Sequence, residues 1–349
     1  MKGMNQNWKV ILLLILFVGI SYLSLVAVYH IASDRTAFLS LRIFSPGLFA
    51  MMAVLVLIYF AADIFRFYFV LRTMDVRVPL GYMTGLAFVN IFISNITPSA
   101  TGGGFAQIYL LHKKGVPIGA ATAGSSIRTA LPIIFFSICT PIILIVDPNI
   151  SRLIPHRSMG VAVILMLAFD LAAIWFVATL IKHPEAIVSM LVRLREHYTR
   201  EEEKEGSRLL GFLDRLIGET KVFSSHFVSY LHGDKRYVVL SILATFVFLL
   251  ALFLIPYLLI HDLNPNVPVW HIVLTQVVIT TIMYFAPTPG AAGIAEAAFV
   301  ALFAGYVSQS HIVSLTFAWR LFSIYIGVIV GLAVFYVQIM KKHEKIELC

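Results

Sequence analysis

Charge is what this chain has least of. Only 13% of its 349 residues are Asp, Glu, Lys or Arg, about half the share usual in a soluble domain. Cysteine is nearly absent too: Cys139 sits inside an apolar run and Cys349 is the last residue, so neither a disulfide framework nor a metal-ligand spacing exists. Paired histidines and nucleophile motifs are missing, which leaves no expected catalytic residue, metal or cofactor. The lysines and arginines outnumber the acids by 26 to 18, but no long basic run suits a nucleic acid, and none is expected as a partner.

Apolar residues fill the space that charge leaves: they make up 60% of the chain, and the mean hydropathy is +0.90. Runs of about 20 residues, the length of a helix crossing a ~30 Å hydrocarbon core, recur from end to end, and they are too long for the strands of a transmembrane barrel. The expected fold is an all-α integral membrane protein. The first run, 8–30, exceeds the apolar segment of a signal peptide and lacks a clear small-x-small cleavage site, so it reads as a retained span. One long polar segment interrupts the series. Residues 182–236 carry ten Lys/Arg and nine Asp/Glu with apolar residues interspersed, the pattern of amphipathic helices at a membrane surface.

The basic residues orient the chain. With a cytoplasmic N-terminus and spans at 8–30 and 46–71, Arg72 and Arg77 lie inside. Lys113 and Lys114 join them only if residues 80–111 enter and leave on one face, as a re-entrant hairpin. Spans at 117–146 and 159–181 then make the polar connector cytoplasmic. A span at 237–260, a second hairpin at 271–306 and a final span at 312–340 place Lys341, Lys342 and Lys345 inside. Nineteen Lys/Arg then face the cytoplasm, four face outward and three lie within spans. The arrangement is six spans and two hairpins entering from opposite faces, in a cell membrane, with both termini cytoplasmic.

Each hairpin carries a helix break. The first, "NITPSATGGGFAQIYLL" at residues 95–111, has a proline, small hydroxyls and three glycines that mark its turn; the second is "YFAPTPGAAGIAEAAF". Sliding one onto the other by 189 positions pairs Pro98 with Pro287, Gly104 with Gly293, Ala106 with Ala295 and Gln107 with Glu296. Both halves read span, hairpin, span, an inverted repeat with its first copy near 46–146 and its second near 237–340, all in one polytopic domain. Transporters built this way place the substrate where broken helices meet. A helix starting inside the membrane, with Thr101 or Thr288 as cap and Pro289 in its first turn, favours an anion, most naturally a phosphate.

Six charged residues fall within apolar runs: Asp63, Arg66, Arg128, Asp170, Glu296 and Arg320. Unpaired, they would cost about 15 to 20 kcal/mol in total, so they face inward. Asp63 and Arg66 read as an i,i+3 structural pair with Arg66 snorkelling to the cytoplasmic edge. Asp170 is either a proton site or a pairing partner. Arg128 and Arg320, with Glu296, read as functional groups beside the two turns.

The stretches "TPSATGGGFAQIYLLHKKG", "PTPGAAGIAEAAF" and "FAWRLFSIYIGVIVGL" resemble the flippase-like transmembrane family, also named for the membrane region of lysylphosphatidylglycerol synthase (phosphatidylglycerol lysyltransferase). The pattern carries over to Pro98, Gly102, Gly103, Gln107, Pro287, Pro289, Gly290, Gly293, Glu296, Trp319 and Arg320. Many members have Glu or Gln where this chain has Gly104, and Arg where it has Gln107. The resemblance implies translocation of an anionic, aminoacylated or polyprenyl-linked phospholipid, with membrane phospholipids as partners. Lysyl transfer belongs to a soluble domain in such proteins, and nine residues follow the last apolar run, so that domain is not expected here. A transferase acting on a lipid phosphate, through Glu296 or Asp63 as general base, is one alternative. A non-catalytic partner subunit, with its glycines explained by packing, is another. A homodimer is allowed, though nothing in the sequence supports one. The substrate-binding set on this reading is Pro98, Thr101, Gly102, Gly103, Gln107 and Arg128 from the first half, with Pro287, Thr288, Pro289, Gly290, Gly293, Glu296 and Arg320 from the second.

The topology is open to a direct test. In a chain whose native cysteines are replaced by serine, a cysteine at Lys114 is expected to react with an impermeant thiol reagent only from the cytoplasm, and one at Gln309 only from outside. Labelling of position 114 from outside would rule out the first hairpin.

Overall fold

The computed structural model describes residues 4–31, 41–147 and 208–337, together with single positions between 150 and 196. The regular elements among them are helical: α1 (Met4–Ile31), α2 (Pro46–Thr73), α3 (Leu80–Ile96), α4 (Thr101–Lys113), α5 (Ile118–Val146), α6 (Arg208–His232), α7 (Lys235–Leu263), α8 (Val269–Tyr284), α9 (Ile294–Phe303), α10 (Gln309–Arg320) and α11 (Ile326–Phe335). Tight 3₁₀ turns at Pro98–Ala100 and Pro289–Ala291 precede α4 and α9, and a π turn at Leu321–Tyr325 fuses α10 to α11.

Among the described residues, five stretches are long and apolar enough to cross a bilayer: Pro46–Thr73, Ile118–Val146, Lys235–Leu263, Pro289–Tyr306 and Gln309–Phe335. The chain is an all-α membrane protein. Four of these stretches carry the expected spans 46–71, 117–146, 237–260 and 312–340, the last described as far as Val337, and the expected span 8–30 falls on α1. The sixth, 159–181, lies outside the described residues apart from single helical positions, and Asp170 is among those left out.

Length separates spans from hairpin arms. Helices α2, α5 and α7 run 28, 29 and 29 residues, about 42 to 44 Å at 1.5 Å per residue. Helices α3, α4, α8 and α9 have 17, 13, 16 and 10 residues, about 15 to 26 Å, each short of a ~30 Å core. Pro289–Tyr306 reaches 18 residues only by counting across the break at Ala292 and Gly293. The arms double back on themselves: α3 lies against α4, where the Tyr82 hydroxyl donates to the Leu110 carbonyl at 2.6 Å, and α8 lies against α9.

The two halves run in opposite directions. Helices α2 and α7 are the first helices of their units, and they pack antiparallel along their full length. The Ser45 amide and hydroxyl donate to the Asp262 carboxylate at 2.8 and 2.6 Å, Tyr59 stacks on Phe248 at 4.9 Å, and Phe69 stacks on Tyr237 at 6.2 Å. Equivalent helices in opposite senses make the repeat inverted. The offset of 189 positions holds for the first two elements, where Pro46 matches Lys235 and Leu80 matches Val269. Past them it becomes 191: the turns begin at Pro98 and Pro289, and the next spans at Ile118 and Gln309. Pro98 therefore corresponds to Pro289, not to Pro287. The two extra residues fall in the stretch from Phe285 to Thr288, where α8 ends earlier than α3.

Close packing needs glycine where helices touch. A Cβ on Gly331 of α11 would lie 2.3 Å from the Phe88 carbonyl of α3, and one on Gly124 of α5 would lie 2.7 Å from Leu71. Beyond the membrane helices, the connector helix α6 lies on the start of α5, where Glu219 accepts a hydrogen bond from the Gly119 amide and so satisfies a free donor at that helix N-terminus. Replacing Gly331 by Ala should separate α3 from α11 and lower the melting temperature in detergent by about 4 °C or more, since overpacking costs about 1 to 3 kcal/mol. Gly104→Ala, at a glycine with open space around it, should hold or raise that temperature. Equal melting of the two variants would contradict the packing account.

Candidate functional site

The hairpin turns meet in the middle of the fold. Each is built on the same backbone: Thr97 and Thr288 are extended, Pro98 and Pro289 open the turn, and the next two residues are left-handed. Ser99 has φ 52° and ψ 25° and Ala100 has φ 53° and ψ 17°, against φ 57° and ψ 20° at Gly290 and φ 55° at Ala291. The strained positions in the first turn are therefore Ser99 and Ala100, which pay a steric penalty that Gly290 avoids. The expectation that Gly102 and Gly103 form that turn is corrected: both are in the first turn of α4, where they let it approach α3. A Cβ on Gly103 would lie 1.8 Å from the Ser94 hydroxyl, and one on Gly102 2.6 Å from Thr97.

The caps also differ from expectation. Thr97 accepts from the Gly102 amide at 3.0 Å, whereas Thr101 donates to the Pro98 carbonyl at 3.1 Å and Thr288 donates to the Ala292 carbonyl at 2.9 Å. In the second hairpin Glu296 itself reaches back to the Gly293 amide at 2.7 Å, so the start of α9 holds a carboxylate of its own chain. Gly293, with φ 86°, supplies the conformation that brings that amide round.

Two charge clusters flank the turns. Arg320 is fully committed: Nε donates to Glu296 Oε1 at 2.6 Å, Nη1 to the Gly290 carbonyl at 3.2 Å and Nη2 to the Ala291 carbonyl at 3.4 Å. Both members of the pair are 1% exposed, and neither lines the cavity described below. The other cluster is uneven. Asp63 serves two arginines: Arg66 through Nε and Nη2 at 2.8 and 2.7 Å, and Arg128 through Nη2 at 2.7 and 2.8 Å to its two oxygens. The Asn90 amide, oriented to satisfy both neighbours, accepts from Arg128 Nη1 at 3.0 Å and donates to the Gly103 carbonyl at 3.1 Å. Arg66 does not snorkel; it is 6% exposed, with its guanidinium 4.0 Å from the centre of the Phe248 ring.

A cavity of about 590 Å³ opens between this cluster and the two turns. Asp63, Arg66, Thr101, Gln107, Arg128, Thr288 and Gly290 line it; Pro98, Gly102, Gly103, Pro287, Pro289, Gly293, Glu296 and Arg320 are not among its lining residues. Several lining groups were not expected from the sequence, among them Asn90, Gln276, Tyr59 and Tyr284. Among the described residues, four donors on side chains that line the cavity lack a partner, each atom itself covered by protein: Arg66 Nη1, Arg128 Nε, Gln107 Nε2 and Trp319 Nε1. One buried acceptor does, Gln276 Oε1.

This geometry defines an all-α membrane protein built as an inverted repeat around a mostly apolar cavity that holds a buried charge cluster. The chain belongs to the family described as Lysylphosphatidylglycerol synthase TM region, a family of the membrane that is related to lipids, which matches residues 9–331. It is also similar to a UPF0104 membrane protein of Archaeoglobus fulgidus, with 22% identity over 273 residues, covering 78% of this chain and 81% of that protein.

The two clusters should respond differently to mutation. Arg320→Ala leaves Glu296 buried without its cation, and a loss of about 3 to 5 kcal/mol is expected, seen as reduced folded yield and a lower melting temperature. Arg128→Ala leaves Asp63 paired with Arg66 and should cost less. An Arg320→Ala protein as stable as the parent chain would show that the pair does not hold the second turn.

Proposed function

We propose that the protein moves phospholipids between the leaflets of the cell membrane, with the headgroup passing through the cavity between the hairpin turns and the acyl chains remaining in lipid. The observation that carries this reading is the set of four unpartnered, covered donors on side chains that line the cavity. Such groups cost about 1 to 3 kcal/mol each when left unmet, and a phosphate oxygen would meet them once these side chains turn toward the cavity. Two broken helices facing each other from opposite halves suit alternating access from the two sides. The count of basic residues supports cytoplasmic termini.

A transferase reading finds less support. The cavity lining includes no histidine, cysteine or glutamate among the described residues, and its one carboxylate, Asp63, is held by two guanidiniums. That leaves nothing placed there as a general base.

Reconstitution in liposomes with fluorescent phospholipids, followed by dithionite quenching of the outer leaflet, measures exchange directly. The parent chain should accelerate exchange over protein-free vesicles, and Arg66→Gln or Arg128→Gln should slow it by about tenfold, the size of one charge-assisted hydrogen bond. Undiminished exchange in both variants would place the headgroup path elsewhere.

A further inference from the structure

The charge balance of the cavity wall narrows the headgroup. Among the described residues three ionised side chains line it, Asp63, Arg66 and Arg128, and they sum to one positive charge. That carboxylate is engaged on both oxygens by the two guanidiniums: Asp63 Oδ1 takes bonds from both arginines, and Oδ2 takes a second from Arg128 at 2.8 Å. The second acid of the region, Glu296, is not among the lining residues and has its oxygens on Arg320 and on the Gly293 amide. A cationic ammonium entering the cavity would therefore meet no free carboxylate, and it would face a net positive wall in a medium that screens little.

The uncommitted groups favour other chemistry. Arg66 Nη1, Arg128 Nε, Gln107 Nε2 and Trp319 Nε1 are all donors, on residues 6%, 6%, 2% and 1% exposed. Among the unpartnered buried atoms of the described lining residues the one acceptor is Gln276 Oε1, whose own amide nitrogen donates to the Thr280 hydroxyl at 3.3 Å, beside lining hydroxyls such as Ser99 and Thr288 that can also accept. Four donors suit the oxygens of a phosphodiester or phosphomonoester. One neutral acceptor suits a hydroxyl.

We infer that the lipid taken by this cavity has an anionic phosphate whose remaining headgroup is neutral and hydroxyl-bearing, and that an aminoacylated headgroup is selected against. The inference rests on the cavity being a phospholipid headgroup site, as proposed above, and it sets this chain apart from the aminoacylated lipid in the description of its family.

Binding separates the two claims, because it can be read without transport. With the full chain in detergent, isothermal titration calorimetry should give dihexanoyl phosphatidylglycerol at least tenfold tighter affinity than dihexanoyl lysylphosphatidylglycerol, with phosphatidylcholine of the same chain length between them. Equal or tighter binding of the lysylated lipid would overturn the inference. Glycerol phosphate without acyl chains should bind at least tenfold more weakly than the lipid, and equal affinity would overturn the lipid assignment in favour of a soluble anion. Gln107→Glu places a carboxylate among the free donors and should reverse the order of the two lipids; an unchanged order would remove the cavity as their site. If selective binding is seen but liposomes show no exchange of any lipid, the translocation reading fails and the headgroup assignment stands.

Discussion

A helix that ends inside a bilayer releases backbone donors and acceptors where no water can take them, and the rest of this structure is arranged around that debt. The chain incurs it twice, at Pro98–Ala100 and at Pro289–Ala291. Placing the two turns against each other between antiparallel units buries Pro289 and Ala291 of the second, while Pro98 to Thr101 of the first stay exposed. The spans α2 and α7, zipped from Ser45–Asp262 to Phe69–Tyr237, supply the frame that holds them there.

The two turns share a backbone but settle their polar groups differently. In the second, Glu296 takes the Gly293 amide, Arg320 takes two turn carbonyls, and the two side chains take each other, so every nitrogen and oxygen of the pair has a partner. In the first, Thr97 and Asn90 tie the turn to its own hairpin, and Arg128 is linked through Asn90 to the Gly103 carbonyl. Asp63 is one charge short of the two arginines it serves, and donors remain. A closed network is rigid, and an open one is costly unless something completes it.

Much of the architecture was legible in the sequence because membrane helices announce themselves by length and the repeat by its prolines. The all-α class and the helix breaks follow from apolar runs and from "TPSATGGG" and "PTPGAAG". The register of the repeat was harder. An alignment of identities settles on 189 positions, since that aligns Pro98 with Pro287, whereas the matching left-handed pairs Ser99–Ala100 and Gly290–Ala291 stand 191 apart. Backbone conformation, which Ser and Ala do not advertise, decides it. The side chains were harder still. Charges inside apolar runs stand out, so Asp63, Arg66, Arg128, Glu296 and Arg320 were visible, but who pairs with whom is a tertiary matter: Asp63 lies 65 positions from Arg128. Neutral polar groups such as Asn90 and Gln276 carry little signal in "AFVNIFIS" or "VLTQVVIT", yet they finish the cavity wall.

The asymmetry of the two turns bears on how an inverted repeat can work at all. Two identical halves with identical charges would leave either two equal anion sites or none. Here the glutamate of the second half follows its turn by five positions from Ala291, close enough to cap its own helix, while the aspartate serving the first half comes from a different span and must be shared. Internal neutralisation on one side and a surplus of one positive charge on the other concentrate the unmet donors on a single wall. The second turn can then act as a fixed floor, while the first half presents three of the four unmet donors, Arg66, Gln107 and Arg128, and the second half adds Trp319.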